Sequence, residues 1–368
     1  MIVIASCGHN CDDERIYYKQ IKTLSSQNYS ICYYTYCYKN YLDDKLDDNV
    51  EYNFFSSSEI SQSQYKQILF NQLNKQPPKV LHIHDMELLS VAYLLKQKHP
   101  NIKIIYDVHE DLDAMWDTFS SYSGLIKKLI NWNLARYEKQ YLSCVDLFIL
   151  ANRLARKDKY QKFGLTHIIE NFLSTQYIQK TDQSIKPYKF IYHGQLSYER
   201  GLIDLVEAFN KLLGNNDNIM LTIIGSFRTE KFKNHFLNLI QSNDKIEYIK
   251  PVSHNKIWDY LNDAHIGVIP FQDVALCQYN TPTKLFEYMA TNCAVLASEL
   301  SPMQSFCFES ASWAKPENIS SLADAMSYYL DNANQYHKHI QVNNQLIHDQ
   351  YNWERISNQL VSIYKELL

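Results

Sequence analysis

A chain of 368 residues exceeds the roughly 100–200 residues of one domain, so two folded units are expected. Hydrophobic residues make up 46% and charged residues 21%, which excludes a disordered chain and supplies enough apolar side chains for two cores. With 36 Lys and Arg against 40 Asp and Glu the formal charge is −4, which excludes a global basic field for nucleic acid, so an anionic partner has to be met locally.

Short β-branched or apolar runs alternate along the chain with longer stretches of helical period, the pattern of an α/β protein with parallel sheets. The first half predicts strands at Met1–Ser6, Ile31–Tyr36, Val80–His84, Lys103–Val108 and Asp146–Leu150, with helices at Glu14–Ser26 and Leu88–Lys98. Over 173–188 periodicity stops and polar residues with one Pro intervene, which reads as a hinge. The alternation then restarts, with strands at Lys189–His193, Ile219–Gly225, Ile246–Lys250, Ile266–Pro270 and Ala294–Ser298. Helices are expected there at Gly201–Leu213, Lys256–Asn262 and Thr283–Thr291. Ile356, Leu360, Ile363, Tyr364 and Leu367 stand at helical spacing, so residues 351–368 predict a helix that packs back toward the N-terminal domain. The expected architecture is two Rossmann-like, doubly wound α/β domains, 1–172 and 189–350, facing each other across a cleft. Folds of this kind bind ligands at the carboxyl ends of their strands.

No apolar run reaches the roughly 18 residues of a membrane span, and the opening MIVIASCGHNCDDERI turns acidic too soon for a signal peptide, so a cytoplasmic location is expected. The eight cysteines form no CxxC pair and several sit in strand-like runs, so buried free thiols are preferred over zinc ligands or disulfides.

The chemistry-bearing residues cluster where strands end. Gly8 follows the first strand in Ser6-Cys7-Gly8-His9-Asn10, where it serves a turn or lets backbone N–H groups approach a ligand. A GxGxxG fingerprint is absent, which argues against nicotinamide or flavin dinucleotides. Asp12, Asp13 and Glu14 sit at a helix start, where capping is the default role. His82 and His84 share one face of a strand, a superficial metal signal that lacks a further His and Asp downstream; no metal is expected. Asp85 leaves that strand at its carboxyl end, either toward the cleft or as a helix N-cap. His109, between acids after an apolar strand, is placed to donate to a sugar hydroxyl or to stand exposed in a polar turn.

In the second half Arg200 precedes an amphipathic helix, where a guanidinium and free N–H groups could together hold a diphosphate; a solvated surface arginine is the alternative. Lys284 and Glu287 are three residues apart on one helix face, fitting either a phosphate and a ribose or an intrahelical ion pair.

The order of these motifs resembles the GT-B glycosyltransferases, and specifically the family 4 group that builds bacterial surface polysaccharides such as capsule and lipopolysaccharide. The likeness runs through CDDERIYYKQIKTLSSQNYSI, VLHIHDMELLSVAYLL, IIYDVHED, YHGQLSYERGLIDLVEAF and NTPTKLFEYMATNCAVLAS, nearly the length of the chain. It implies a nucleotide-sugar donor, with UDP preferred, and transfer to a glycan or lipid-linked glycan with retention and without metal or cofactor.

By that resemblance residues 1–172 form the acceptor-side domain and 189–350 the nucleotide-sugar domain. Arg200 and Lys284 would bind the donor diphosphate, Glu287 the ribose, and Ile249–Val252 would border the base, with Gly194 and Thr283 completing the donor set. Gly8 would border the cleft, His109 would touch the donor sugar, and Asp13, Arg15 and Asp85 would shape the acceptor side. Gln195 stands where many members carry an arginine, Tyr279 where the first Glu of a Glu-x7-Glu pair would be, and Asn292 and Ala294 replace a Gly and a Pro. These departures keep two alternatives in view, a nucleotide-sugar 2-epimerase and a non-catalytic partner subunit. Residues 125–142 combine Lys127, Lys128, Arg136 and Lys139 with Leu125, Leu129, Ile130 and Trp132. Peripheral contact with the inner leaflet is one reading of that run; a helix packed on its own sheet with a solvated basic face is the preferred one.

Overall fold

Thirteen strands are resolved in a computed structural model that describes residues 1–38, 47–109, 116–118, 124–153, 157–178, 188–214, 216, 218–291 and 293–368. Glu110, Asp111, Asn292 and positions 179–187 of the expected hinge lie outside the described residues. The chain divides into two units, Met1–Asn171 with Trp353–Leu368, and Phe172–Asn352.

In the first unit the strands are β1 (Ile2–Cys7), β2 (Ile31–Cys37), β3 (Val50–Ser56), β4 (Val80–Ile83), β5 (Lys103–Val108), β6 (Leu147–Leu150) and β7 (Leu165–Ile168). They form one sheet in the order β3-β2-β1-β4-β5-β6-β7, every pair parallel. β1 lies where the order reverses, so its carboxyl end and that of β4 border the switch point. Alternation along β1 divides the core. Val3, Ala5 and Cys7 face one apolar cluster with the helices Gln62–Lys75 and Leu89–Lys98, while Ile2 and Ile4 face another. That second cluster is closed by the C-terminal helix Trp353–Leu367, whose Trp353, Leu360, Ile363 and Tyr364 are buried. Trp353 Nε1 donates to Thr23 Oγ1 at 2.9 Å and Tyr364 Oη lies 2.7 Å from His82 Nδ1, so the helix is fixed by polar contacts as well as by burial.

The second unit holds β8 (Lys189–His193), β9 (Met220–Ile224), β10 (Ile246–Ile249), β11 (Ile266–Ile269), β12 (Ala294–Ser298) and β13 (Ala311–Ala314) in the order β10-β9-β8-β11-β12-β13, again all parallel. β8 occupies its switch point. The helix Leu202–Leu213 buries Leu202, Leu205, Val206 and Phe209, the i, i+3, i+4, i+7 stripe that covers the sheet.

Three strands, β3, β7 and β13, are absent from the sequence reading. All three are edge strands of their sheets, and edge strands have one unpaired side and weaker apolar signatures. The expected helix Glu14–Ser26 also differs, being a π-helix over Glu14–Ile21 that continues as an α-helix over Lys22–Ser26.

Candidate active site

The π-helix is the local structure that builds the first unit's polar cluster. Asp13 caps it, its Oδ1 accepting from the N–H groups of Arg15 and Ile16 at 2.9 Å each, as the sequence predicts for a carboxylate at a helix start. A π-helix bonds residue i to i+5, which widens the turn and aligns Arg15 with Gln20. Arg15 donates through Nε (3.2 Å) and Nη2 (2.9 Å) to the two oxygens of Asp107, and Gln20 Nε2 donates to Asp107 Oδ2 at 2.5 Å. A helix of 3.6 residues per turn separates i and i+5 by well over a quarter turn, so a 3.6-period reading leaves Gln20 out.

Arg15 is only 3% exposed. The resemblance set Arg15 among the residues that shape the acceptor side; here its guanidinium is committed inward to the buried Asp107 as a fixed counter-charge. Burial opposes the charged form of Asp107, but the Arg15 guanidinium and the histidines around it outweigh that and hold its carboxyl well below the usual range.

Three imidazoles gather beside Asp107. His84 Nδ1 lies 2.9 Å from His109 Nε2, and the His82 and His84 rings stack with centroids 4.4 Å apart. His84 Nε2 is buried without a hydrogen-bond partner among the described residues. An orphaned lone pair costs less than an orphaned N–H, and Asp107 Oδ2 stands 3.7 Å from His84 Nδ1, so His84 carries its proton on Nδ1 and donates to His109. His109 then keeps its own proton on Nδ1. Burial, the largest influence, pushes the pKa of His109 down to about 4, so the ring is neutral near pH 7. It is a largely enclosed donor, which corrects the reading of a histidine exposed in a polar turn.

His82, His84 and Asp107 offer three ligand atoms within 4.8 Å of one another, the arrangement of a metal site. Asp107, however, already takes three hydrogen bonds from Arg15 and Gln20, and the guanidinium at its side repels a second cation. The chemistry of this donor set fits a charge-neutralised hydrogen-bond network better than a metal.

Asp85 is not a side-chain N-cap. Its Oδ2 accepts from the Cys7 N–H at 2.6 Å, and its Oδ1 lies 3.3 Å from His9 Nε2. His9 Nδ1 meets Asp13 Oδ2 at 3.1 Å on the other side. Burial works against a charged His9, yet the hydrogen bonds to Asp13 and Asp85 overcome it and hold its pKa up at about 10. Asp13 answers at about 2, where burial is outweighed chiefly by His9. Gly8, at φ 119°, turns the chain between Cys7 and His9 with open space where a Cβ would stand.

The second unit's cluster is built differently. Lys284, the second residue of the helix Thr283–Ala290, is 8% exposed, and its Nζ stands 3.8 Å from the centroid of Tyr192 and 5.4 Å from that of Phe271. Arg200 lays its guanidinium on the same Phe271, Cζ 4.4 Å from the centroid. Tyr192 Oη donates to the Gln195 carbonyl at 2.8 Å, which fixes the ring beneath the lysine. Gly194, at φ 115°, leaves room for the ammonium, since a Cβ there would stand 2.9 Å from Nζ. Among the described residues no acceptor hydrogen-bonds Lys284 Nζ. Burial first, and then Arg200, push its pKa well below the usual lysine value. Two cations, Arg200 before the helix Leu202–Leu213 and the desolvated Lys284 in the first turn of Thr283–Ala290, form a site of high positive potential.

Glu287 turns to His193, its Oε2 2.8 Å from His193 Nε2, in place of the simple intrahelical pair with Lys284 that spacing allowed. Both residues line a cavity of about 380 Å³ with Gly194, Gly225, Pro251 and Val252. That size falls within the roughly 300–1,000 Å³ typical of small-molecule sites. Ile249 ends β10 beside it and accepts from the Gly225 N–H at 3.1 Å. Thr283 is the exposed first residue of the Lys284 helix, and Tyr279 is 41% exposed in the short helix Ala275–Tyr279. The sequence reading missed Tyr192, Phe271, His193 and Arg228. Arg228 Nη1 reaches 3.4 Å from Gln195 Oε1, bringing a guanidinium to the position where Gln195 departs from the resembled pattern.

These two parallel, doubly wound sheets define a class. The fold is that of GT-B glycosyltransferases. A sucrose-phosphate synthase from Thermosynechococcus elongatus superposes at TM-score 0.76 and 16% identity, covering 100% of this chain and 99% of the other. A glycosyltransferase from Rickettsia africae ESF-5 gives 0.70 at 14% over 100% and 98%. An α,α-trehalose-phosphate synthase (UDP-forming) from Burkholderia vietnamiensis gives 0.73 at 11% over 100% of both chains. No curated protein matches the sequence. Residues 174–360 match the family described as Glycosyl transferases group 1, and the chain belongs to it.

Proposed function

We propose that this group 1 glycosyltransferase moves a hexosyl or N-acetylhexosaminyl group from a UDP-sugar to a glycan or lipid-linked glycan, with retention and without metal, in surface-polysaccharide synthesis. The observation that carries the donor reading is the buried Lys284, seated over Tyr192 beside Arg200 with no acceptor on its ammonium among the described residues. A diphosphate answers that arrangement. Its oxygens would take Lys284, Arg200 and the amides of the helix N-terminus, while the cavity at His193, Glu287 and Val252 would receive ribose and base. The choice of UDP rests on the fold-sharing synthase described as UDP-forming. Retention, family 4 membership and the polysaccharide role rest on the motif resemblance.

In the reaction the bond from the anomeric carbon to the leaving phosphate breaks, the acceptor oxygen bonds that carbon, and the hydroxyl proton departs with the phosphate or solvent. Negative charge gathers on the phosphate as the bond breaks. Cations already aimed there stabilise that state, each by about 2–4 kcal/mol. The neutral His109, donating from Nδ1, suits a sugar hydroxyl or carbonyl oxygen.

A thermal-shift series with UDP, GDP, CMP and dTDP tests the reading. At about a hundred times its dissociation constant, UDP should add roughly 2.7 kcal/mol of stability, an increment that Lys284→Met abolishes. Equal shifts in wild type and variant would contradict the donor assignment.

A further inference from the structure

The helix Gly124–Leu142 presents an apolar stripe away from its own unit. Glu138 and Leu142 are its buried side chains among the described residues. On the opposite side Leu125 is 85% exposed, Leu129 61% and Trp132 57%, with Ile126 at 60% along the edge. The spacing i, i+4, i+7 aligns Leu125, Leu129 and Trp132 in one row, and i+11 adds Arg136, whose Cζ lies 5.5 Å from the Trp132 centroid. Lys128 and Lys139 flank the row, both exposed. The helix has one acid, Glu138, which is buried and bonded to Lys159 at 2.6 Å. Lys127 is engaged sideways with Asp117 at 3.1 Å. The outward face of the helix therefore combines large apolar side chains with three cations and, among the described residues, no carboxylate. The basic face and the exposed leucines are one face, which the sequence count alone does not tell.

We propose that this face docks onto the surface of an anionic lipid bilayer. Leu125, Leu129 and Trp132 enter the boundary between headgroups and acyl chains, and Lys128, Arg136 and Lys139 meet lipid phosphates through stems that lie along the apolar row. Charge decides for lipid: a row rimmed, among the described residues of its helix, by cations alone complements a uniformly anionic plane. Area decides against a protein partner or a second copy, because specific protein interfaces bury about 1,200 Å² or more from some 20–30 residues a side, whereas this row is four side chains on one helix. Among the described residues no helix is long and apolar enough to cross a membrane, so the contact is peripheral. The inference stands apart from the donor assignment, since it requires binding with no nucleotide present.

Co-sedimentation of the full chain with vesicles tests it. Vesicles of phosphatidylcholine mixed with phosphatidylglycerol should bind the protein, pure phosphatidylcholine should bind it far less, and added salt should weaken the contact. Leu129→Ser with Trp132→Ser keeps every cation, so a loss of at least about tenfold with an unchanged melting temperature supports insertion of the apolar row. Lys128→Gln with Arg136→Gln should remove the preference for the anionic lipid. The proposal is overturned if the serine variant binds like wild type, if anionic vesicles fail to bind, or if the same variant instead abolishes self-association measured by light scattering.

Discussion

The two units place charged side chains at the carboxyl ends of the same kind of sheet, yet they treat charge in opposite ways. In the first unit Arg15 is clamped on Asp107, and His9 lies between Asp13 and Asp85. In the second, Lys284 and Arg200 rest on aromatic faces with no carboxylate bonded to the lysine ammonium among the described residues. Compensated charges hold a shape. An uncompensated buried cation stores a desolvation cost that a bound anion can relieve. The first cluster therefore reads as architecture around His109, the second as a receptor for phosphate.

That contrast can be broken at either end. The largest effect is expected from Asp107→Asn, which strands the buried Arg15 guanidinium and should lower unfolding stability by about 3–5 kcal/mol in urea titrations. A loss below about 1 kcal/mol would mean the pair is not holding the site. Arg200→Ala should instead leave stability nearly unchanged and cut transfer a hundredfold or more, read as kcat/KM with a UDP-sugar. Lys284→Met sharpens the difference: activity falls, while the melting temperature holds or rises because a desolvated charge has been removed.

A smaller effect comes from pH. His109 is held down to about 4, against an ordinary 6.5, so it contributes stability that is full above pH 6.5 and declines as pH falls through 4. His9, held up at about 10, does the reverse: its contribution is full below pH 6.5 and is lost as pH rises through 10. Stability should peak near neutrality. His109→Asn should flatten the acid limb of a plot of urea midpoint against pH, by at most about 1.4 kcal/mol per pH unit. The smallest change is expected from Tyr364→Phe, which removes the partner of His82 Nδ1 and should cost about 1 kcal/mol in the same assay.

Much of the fold was legible because central parallel strands are buried on both faces and read as continuous apolar runs. β5, β8 and β12 fall where the pattern put them, over Lys103–Val108, Lys189–His193 and Ala294–Ser298. Edge strands such as β3 carry polar residues on one side, as in Val50–Ser56, and blend into loops. In the second unit's candidate site, the motifs single out Arg200, Lys284 and Glu287 but not the aromatic rings beneath Arg200 and Lys284. Tyr192 reads as an ordinary strand residue and Phe271 as a loop residue, and only tertiary structure brings both rings to the same ammonium. In the first unit Arg15 was visible but its partner Asp107 was not, and Gln20 was missed because a π-helix changes which residues share a face.

The claim that Lys284 waits for a diphosphate is tested most directly by proton linkage. UDP titrated calorimetrically at mildly alkaline pH, in buffers of different ionisation enthalpy, should show proton uptake by the wild type, because a phosphate beside the ammonium restores a pKa that burial had pushed down. Lys284→Met should bind UDP far more weakly and take up no proton. If the variant binds UDP as tightly as wild type with the same proton count, the second unit's buried cation is not the donor site.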